Sequence, residues 1–245
     1  MSNMNTDGYK NLLNMALSSG YDFIPFNKAE FKSNTLQCLL RHDIDVDLEA
    51  ALNIATIEAA LGIKSTFFFM LRSPVYNLMA RHNNDDLKKI IDLGHDIALH
   101  FDANYQVTEN IVDQIYTEIG ILGKITGRRV NAVSFHQPIM NEVQNISLDN
   151  IINTYDIELN KKFFYLSDSN MRWKDKPAEV IFKEKNYDKV QLLIHPIWWN
   201  EDQRNTQEIW DIAIKRNCEK MGKQLIETER AIGPARLIKF NLGLS

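Results

Sequence analysis

The stretch Leu39-Leu40-Arg41-His42-Asp43-Ile44-Asp45 places four ionisable groups directly after an apolar run, residues 36–40. A buried strand cannot keep such groups in an apolar core unless each has a partner. The simplest prediction is a strand over residues 36–40 that leaves the core and delivers His42, Asp43 and Asp45 into a polar site. The same pattern recurs further along the chain, and this recurrence makes a function arguable from the sequence.

The composition is that of an ordinary globular protein. The chain has 245 residues, of which 44% are apolar and 24% charged, and this length fits one domain over 1–245 with a sizeable core. A net charge of −4 does not indicate a nucleic-acid surface or a basic membrane-binding patch. Cys38 and Cys218 lie far apart, which indicates neither a disulfide framework nor a zinc knuckle.

The sequence predicts no targeting signal and no transmembrane segment. Residues 1–10 are polar and lack the apolar region of a secretory signal. No segment approaches the roughly 20 apolar residues that a membrane span requires. The expectation is a cytoplasmic protein with reduced thiols, and its oligomeric state is left open.

Short apolar runs alternate with helical patterns, and this order predicts a parallel sheet or barrel. The predicted strands cover residues 36–40, 65–71, 96–100, 132–135, 163–166 and 190–194, and the predicted helices cover 6–19, 47–61, 85–93, 108–126 and 206–231. Asp47 and Thr108 are the predicted helix N-caps. Gly233 and Pro234 are expected to stop the last helix. Residues 141–177 are the least regular and are expected to form loops over the site.

Four of the six histidines directly follow an apolar run: His42, His100, His136 and His195. In parallel α/β folds, ligands bind at the carboxyl ends of the strands, so these side chains are expected to converge on one face. Asp102 follows His100 closely, and Asp168 follows the apolar run that begins at residue 163. Imidazole and carboxylate groups at several strand ends favour a site for a divalent transition metal.

The other two histidines have different surroundings. His95 lies at the start of a predicted strand, the opposite end from the proposed site, and is expected to be structural. His82 lies in the polar run 81–86 and is expected in a solvated loop. The chain lacks GxGxxG, GxxxxGK[ST], GxSxG and HExxH motifs, and neither cysteine is placed as a nucleophile.

These residues make the chain resemble the polysaccharide deacetylase (NodB-like) superfamily, also called carbohydrate esterase family four. The resemblance covers about residues 36–199 and rests on five segments in the family's order: 41–45 (RHDID), 94–100 (GHDIALH), 134–138 (SFHQP), 168–173 (DSNMRW) and 193–196 (LIHP). It implies a distorted or incomplete (β/α)7-type barrel in a single domain, with an N-terminal helix and a long C-terminal helix packed on it. It also implies a divalent metal, with zinc expected and nickel or cobalt as alternatives, and hydrolysis of acetamido sugars.

The resemblance implies a role for individual residues. Asp43 corresponds to the catalytic base and Asp45 to a metal ligand. His100 corresponds to a second metal ligand and His195 to the general acid. We expect Asp168 to orient His195 or to raise its pKa, because a nearby carboxylate favours the charged imidazole.

The chain departs from the usual family pattern at three positions. Ile44 separates two aspartates that are commonly adjacent, although alternate residues of a strand still face the same way. Asn104 stands where the second metal histidine usually lies, and His136 stands where an arginine is expected. The hypothesis is that His136 supplies the missing ligand, so that the metal set is Asp45, His100 and His136. His42 is the rival third ligand.

Several residues are candidates for contact with substrate. Trp173, Trp198 and Trp199 lie near the motifs, and each is expected either to stack on a sugar ring or to belong to the apolar core. Asn104 is a further substrate-binding candidate. Arg41 is expected to pair with a site carboxylate, the favoured interpretation, or to bind a substrate phosphate.

A cytoplasmic member is expected to act on a nucleotide-linked or lipid-linked sugar during surface-polysaccharide assembly. Three alternatives stay open. One is another metal-dependent C–N hydrolase that acts on a cyclic amide or formamide. The second is a catalytically degenerate sugar-binding domain. The third is a metal phosphoesterase barrel, which is disfavoured because the chain lacks a His-x-His motif near its N-terminus.

Overall fold

An all-parallel sheet lies at the centre of the computed structural model, which describes residues 4–29, 34–104, 110–138, 140–174, 176–202 and 204–228. Its strands are β1 (Asp22–Phe23), β2 (Gln37–Ile44), β3 (Thr66–Phe69), β4 (Asp96–Asp102), β5 (Ala132–His136), β6 (Ile152–Asn153), β7 (Phe164–Ser167) and β8 (Lys189–Ile194). The strand order is β6-β5-β4-β3-β2-β8-β7, and β1 pairs with the start of β2. All these pairs are parallel, so the predicted parallel α/β class is confirmed.

The sheet curls into an incomplete barrel with β6 and β7 at its two edges. Five strands separate β6 from β7 in the sheet. Nevertheless, the ring of Tyr155, just after β6, has its centroid 6.1 Å from that of Tyr165 in β7. Arg41 in β2 also reaches across the interior, where its Nη1 donates to Thr154 Oγ1 at 2.7 Å. Because such contacts require strong curvature, the predicted distorted barrel is confirmed in its incomplete form.

Helices connect the strands of the described chain. They are α1 (Thr6–Ser18), α2 (Leu48–Ala60), α3 (Arg81–Asp92), α4 (Ile111–Thr126), α5 (Met140–Val143), α6 (Ile157–Lys162), α7 (Ala178–Glu184) and α8 (Thr206–Thr228). Asp47 caps α2 as predicted, because its carboxylate accepts the backbone N–H groups of Glu49 and Ala50. Within the described ranges, none of the helices combines the length and apolarity that a bilayer crossing needs.

The sheet separates two apolar layers. Leu39 of β2, Phe68 of β3 and Ala98 of β4 belong to a cluster inside the curled sheet, together with Phe163. The alternate side chains of the same strands pack into the larger core that the helices share. Side chains on a strand alternate between its faces, so strands covered on both faces appear as continuous apolar runs in the sequence.

The prediction that the chain leaves the core after residue 40 is wrong. β2 continues to Ile44, and all eight of its residues are buried. The charged groups stay in the strand because each has a partner. Arg41 forms an ion pair with Asp43 on one face, and His42 lies 2.6 Å from a carboxylate oxygen of Glu58 on the other.

Several element boundaries also differ from the predictions. α3 begins at Arg81, so His82 is helical rather than in a loop, and its Nδ1 lies 2.8 Å from Gln224 Oε1. α4 is capped by Asn110, whose side chain accepts the N–H of Val112. The predicted cap Thr108 and the predicted stop at residues 233–234 lie outside the described residues. The irregular region 141–177 contains the short elements β6 and α6, which are too brief for a periodic pattern to reveal.

A buried polar cluster lies between β2 and α2 around the fully buried carboxylate of Glu58. Tyr9 of α1 and Ser65 both donate hydroxyl hydrogen bonds to it. Burial opposes ionisation, but the charge and contact of His42 outweigh it and lower the pKa of Glu58. His95 lies beside this cluster with its Nε2 3.0 Å from Ala55 O, which agrees with the structural role expected for it.

Replacing Glu58 by Leu is predicted to destabilise the protein by about 3–5 kcal/mol, because Tyr9 and Ser65 lose their acceptor and His42 loses the carboxylate beside it. Urea unfolding measures the change. Glu219→Leu, at an exposed position of α8, is the control and should shift the free energy of unfolding by no more than about 0.5 kcal/mol. A loss below about 1 kcal/mol for Glu58→Leu would contradict the proposed importance of the cluster.

Candidate functional site

The side chains of the candidate site come from the carboxyl ends of several neighbouring strands. Asp45 directly follows β2, His100 lies two residues before the end of β4, and His136 is the last residue of β5. His195 directly follows β8. Since parallel strands end at the same edge of the sheet, these four residues reach one region. The predicted convergence thus holds for three of the four histidines and fails for His42.

Three donor atoms converge at this edge. Asp45 Oδ1 lies 3.1 Å from His100 Nε2 and 3.1 Å from His136 Nδ1. The two imidazole nitrogens are 3.3 Å apart. Ligand atoms at about 2.0–2.1 Å from a tetrahedral zinc ion are about 3.3 Å from one another. The spacing and the chemistry of this donor set therefore fit a divalent metal ion.

The electrostatics of the three residues also suit a cation. Burial opposes ionisation of Asp45, but hydrogen bonds from His100 and His136 prevail and hold the pKa of its carboxyl well below the usual range. The hydrogen bond to Asp45 in turn raises the pKa of His136. The side chains of Asp45 and His136 are 21% and 26% exposed, so the cluster opens to solvent.

A second set of contacts fixes the ring of His100. Its Nδ1 lies 2.7 Å from Ser134 Oγ, and Ser134 Oγ donates to Asp43 Oδ1 at 3.2 Å. If Nε2 faces a metal, Nδ1 carries the proton and donates to Ser134. Ser134 was not predicted as a site residue, although the two-residue period of a strand places it on the same face of β5 as His136.

Asp43 lies beneath this cluster and is almost fully buried. The guanidinium of Arg41 donates to both of its carboxylate oxygens, from Nε at 3.0 Å and from Nη2 at 2.8 Å. Burial opposes ionisation, but the charge of Arg41 outweighs it and lowers the pKa of Asp43. Arg41 is itself fully buried. It therefore pairs with a site carboxylate, and the alternative of a substrate or phosphate contact is wrong.

His42 is not part of the donor cluster. Its ring points to the opposite face of β2, where it packs 4.4 Å from the ring of Phe67 and 2.6 Å from Glu58. The prediction of His42 as a rival third ligand is wrong because neighbouring residues of a strand face opposite ways. His136 occupies the third position.

His195 forms a close pair with Asp168, which is fully buried. The Nδ1 of His195 lies 2.6 Å from Asp168 Oδ1, and its backbone N–H donates to the same carboxylate. Trp199 Nε1 donates to Asp168 Oδ2 at 2.7 Å. Burial disfavours the charged ring, but the charge and hydrogen bond of Asp168 outweigh it, and Asp45 and Asp43 contribute, so that the pKa of His195 rises to about 9.

Trp199 connects this pair to the outer helices. The ring of Trp199 lies 5.2 Å from that of Tyr9, measured between centroids. Tyr9 donates its hydroxyl to Glu58. The backbone N–H of Thr6 donates to Asn200 O at 3.0 Å. The loop that carries His195 and Trp199 is therefore attached to α1 by both side-chain and backbone contacts.

The remaining substrate-binding candidates take different positions. Trp198 is 6% exposed and packs against Trp210 of α8, so it belongs to the core and the prediction that it stacks on a sugar is wrong. Trp173 is partly buried, with its ring centroid 6.3 Å from that of Trp199. Asn104 is exposed in the turn after β4, where its N–H donates to Asp102 Oδ1.

Residues with left-handed backbone follow two of the site's side chains. Gln137, directly after His136, has φ +42°, and Asn170 and Met171, shortly after Asp168, have φ +57° and +58°. Such conformations cost about 1–3 kcal/mol each when they are not glycine and cluster at functional sites. They mark the loops after β5 and β7 as held in a fixed shape beside the donor cluster.

No protein-family model and no curated protein matches the chain. Among solved structures, a family 4 carbohydrate esterase from Bacillus anthracis matches with 15% identity and a TM-score of 0.41, over 85% of this chain and 86% of that one. The peptidoglycan deacetylase PdaC from Bacillus subtilis matches with 12% identity and a TM-score of 0.41, over 80% and 99%.

A pseudoenzyme of the same esterase family from Bacillus anthracis matches with 15% identity and a TM-score of 0.42, over 76% of this chain. The chain spans 62% of the length of that pseudoenzyme, less than two thirds. The functional roles of this chain's residues therefore rest on the geometry of its own site.

Replacing His136 by Ala is predicted to weaken binding of zinc more than about 100-fold, because changes outside the ligand set alone cost about 10–100-fold. Metal analysis after equilibrium dialysis against buffered zinc gives the affinity. His82→Ala, on α3, is the matched control and should leave the affinity unchanged. His42→Gln should also retain zinc, and loss of zinc from that variant together with retention in His136→Ala would overturn the assignment.

The raised pKa of His195 predicts a pH-dependent contribution to stability. The protonated ring stabilises the fold fully below the unfolded pKa of about 6.5, and this contribution is lost as the pH rises through about 9. Urea unfolding of the metal-free protein and of His195→Gln should show a stability difference that shrinks by about 3 kcal/mol from pH 6 to pH 10. A difference that stays constant over this range would contradict the pairing with Asp168.

Proposed function

We propose that the protein is a metal-dependent hydrolase that removes an acyl group, in the first place N-acetyl, from a sugar. One observation supports this proposal above all. The donor cluster of Asp45, His100 and His136 lies at the same strand ends as a buried carboxylate, Asp43, and a charged imidazole, His195. A metal site, a base and an acid are the groups that hydrolysis of an amide requires.

Asp45, His100 and His136 would hold the ion, with zinc expected and nickel or cobalt as alternatives. A divalent ion at this position supplies Lewis-acid polarisation of a carbonyl oxygen and makes water more acidic. Ser134 keeps the His100 ring oriented for this purpose through its contact with Nδ1. The open side at Asp45 and His136 gives substrate access to the cluster.

Asp43 is assigned as the general base. Because Arg41 lowers its pKa, the carboxylate is ionised throughout the neutral range and ready to accept a proton from the attacking water. A carboxylate with a lowered pKa is also a weak base. It can take that proton only from water whose acidity is raised, which explains why the base lies next to the metal ligands.

His195 is assigned as the general acid. Asp168 occupies its Nδ1, so Nε2 is the nitrogen that can donate a proton to the leaving amine. A pKa of about 9 keeps the ring protonated at neutral pH. Asp43 and His195 thus have pKa values pushed in opposite directions by their surroundings, which is the arrangement that separates a base from an acid in one site.

The proposal extends to the substrate class and the location. A nucleotide-linked or lipid-linked acetamido sugar used in surface-polysaccharide assembly is the proposed substrate, and the cytoplasm the proposed compartment. Both cysteines, Cys38 and Cys218, are free, which is the usual state in a reducing compartment. Trp173 and Asn104 remain proposed substrate contacts.

Acetate release from a panel of nucleotide-linked N-acetyl sugars tests this function. The zinc-loaded protein should release acetate from at least one, and Asp43→Asn should lower kcat/KM by about 100-fold to 10,000-fold, because it removes the base. Asp7→Asn, at an exposed position of α1, is the control and should keep full activity.

The same assay separates the alternatives. Hydrolysis of cyclic amides or formamides without acetate release would favour another C–N hydrolase. Sugar binding without hydrolysis, in protein that retains zinc, would favour a degenerate sugar-binding domain. Full activity of Asp43→Asn would remove Asp43 from the role of base.

A further inference from the structure

The guanidinium of Arg41 has acceptors on two adjoining edges. Towards the site, Nε and Nη2 donate to the two carboxylate oxygens of Asp43. Away from it, Nη1 donates to Thr154 Oγ1 at 2.7 Å, and Nη2 donates to the hydroxyl of Tyr155 at 3.0 Å. The charged group is thus held between the proposed base and two residues that have no contact with the donor cluster in the described chain.

Thr154 and Tyr155 belong to the edge of the incomplete barrel. They directly follow β6, an edge strand of two residues. Three strands lie between β6 and β2 in the sheet, so the contact with Arg41 crosses the barrel interior. Gln191 of β8 adds a second contact across it, because its Nε2 donates to Thr154 O at 3.1 Å.

These contacts determine which way the guanidinium faces. A guanidinium is planar, and its N–H groups have fixed directions. Once Thr154 and Tyr155 engage the edge formed by Nη1 and Nη2, the adjoining edge of Nε and Nη2 is presented to Asp43 as a bidentate pair. The carbon atom of the guanidinium also lies 4.9 Å from the centre of the Tyr155 ring and 5.5 Å from that of Phe68, which confines the plane further.

Asp43 has few other restraints. Apart from Arg41, its carboxylate accepts the hydroxyl of Ser134 at 3.2 Å, and this hydroxyl is shared with the His100 ring. His100 Nδ1 itself lies 3.7 Å from Asp43 Oδ2, beyond hydrogen-bond distance. A carboxylate with one restraining contact can rotate about its terminal torsion, which is broad for Asp. A misplaced base loses much of its catalytic effect even when it stays ionised.

We propose that Thr154 and Tyr155 are positioning residues, which hold Arg41 and through it orient the Asp43 carboxylate for the hydrolytic step. This inference rests on the proposed function of Asp43 as the base. It assigns a catalytic contribution to the edge of the barrel, more than 100 residues further along the chain than Asp43.

Three conservative variants test the role of the two hydroxyl groups. Thr154→Val and Tyr155→Phe keep shape but remove one acceptor each, and each should lower kcat about tenfold while KM changes less than twofold. Thr154→Ser keeps the hydroxyl and should restore kcat to within about twofold of the original chain. Zinc content should be equal in all variants. Equal losses in Thr154→Val and Thr154→Ser, or an unchanged kcat in both Thr154→Val and Tyr155→Phe, would overturn the proposal.

Chemical rescue tests the role of the guanidinium itself. Arg41→Ala should lower kcat more than about 100-fold. Guanidinium chloride added at low millimolar concentration should then raise the kcat of this variant at least tenfold. Methylammonium chloride, which cannot form a bidentate contact, should restore nothing. Equal rescue by the two cations would contradict an orienting role. If Arg41→Ala fails to fold, Arg41→Lys replaces it, with the same loss expected and no dependence on added guanidinium.

A measurement without substrate separates this inference from the proposed function. Exchange of the Arg41 Nε–H with solvent can be followed by NMR in the zinc-loaded protein. Thr154→Val should speed this exchange at least tenfold, and Thr154→Ser should not. If the exchange responds in this way but the protein hydrolyses no sugar in the panel, the proposed function is wrong and the hold of Thr154 on Arg41 stands. If the protein is active but Thr154→Val does not change the exchange, the proposed role of Thr154 is wrong and the proposed function stands.

Discussion

Two charged side chains on one buried strand, Arg41 and Asp43, neutralise each other inside the barrel. An unpaired charge at this depth would cost several kcal/mol, more than most single interactions in a domain of marginal stability can offset. Their bidentate contact lets β2 remain in the sheet as far as Ile44. The chain leaves the sheet at Asp45, next to His100 near the end of β4 and His136 at the end of β5. The position of the donor cluster therefore follows from an ion pair that is not part of it.

The site is built from two halves that depend on different layers of the fold. His100 of the donor cluster and Asp43 are held from within the sheet, by Ser134 and by Arg41. His195 is held by Asp168, whose second oxygen accepts from Trp199. The same physical device acts in both halves. A buried group keeps its charge because a partner of opposite charge outweighs the cost of burial. The sign of that partner sets the opposite pKa shifts of Asp43 and His195, on which their proposed roles as base and acid rest.

The sequence was sufficient for features that depend on local pattern and insufficient for those that depend on distant partners. Apolar runs predicted the strands, and the residues that end them predicted the convergence of His100, His136 and His195. The extension of β2 was missed, because the sequence pattern does not show that Arg41 pairs with Asp43 or that His42 lies against Glu58. The orientation of His42 could have been predicted from the two-residue period of a strand. The burial of Trp198 could not be predicted from the sequence, because it depends on the packing of α8.

The contact of Trp199 with Tyr9 makes α1 a part of the half of the site that holds the proposed acid, His195. Helices packed on the outside of a sheet open more readily than its central strands. Transient detachment of α1 would release Trp199 and loosen Asp168, while the metal donors in the sheet stayed in place. The two halves can therefore diverge separately over evolutionary time. A descendant that weakened the docking of α1 would lose proton donation first and keep a cation-binding surface, and such a protein would serve recognition without turnover.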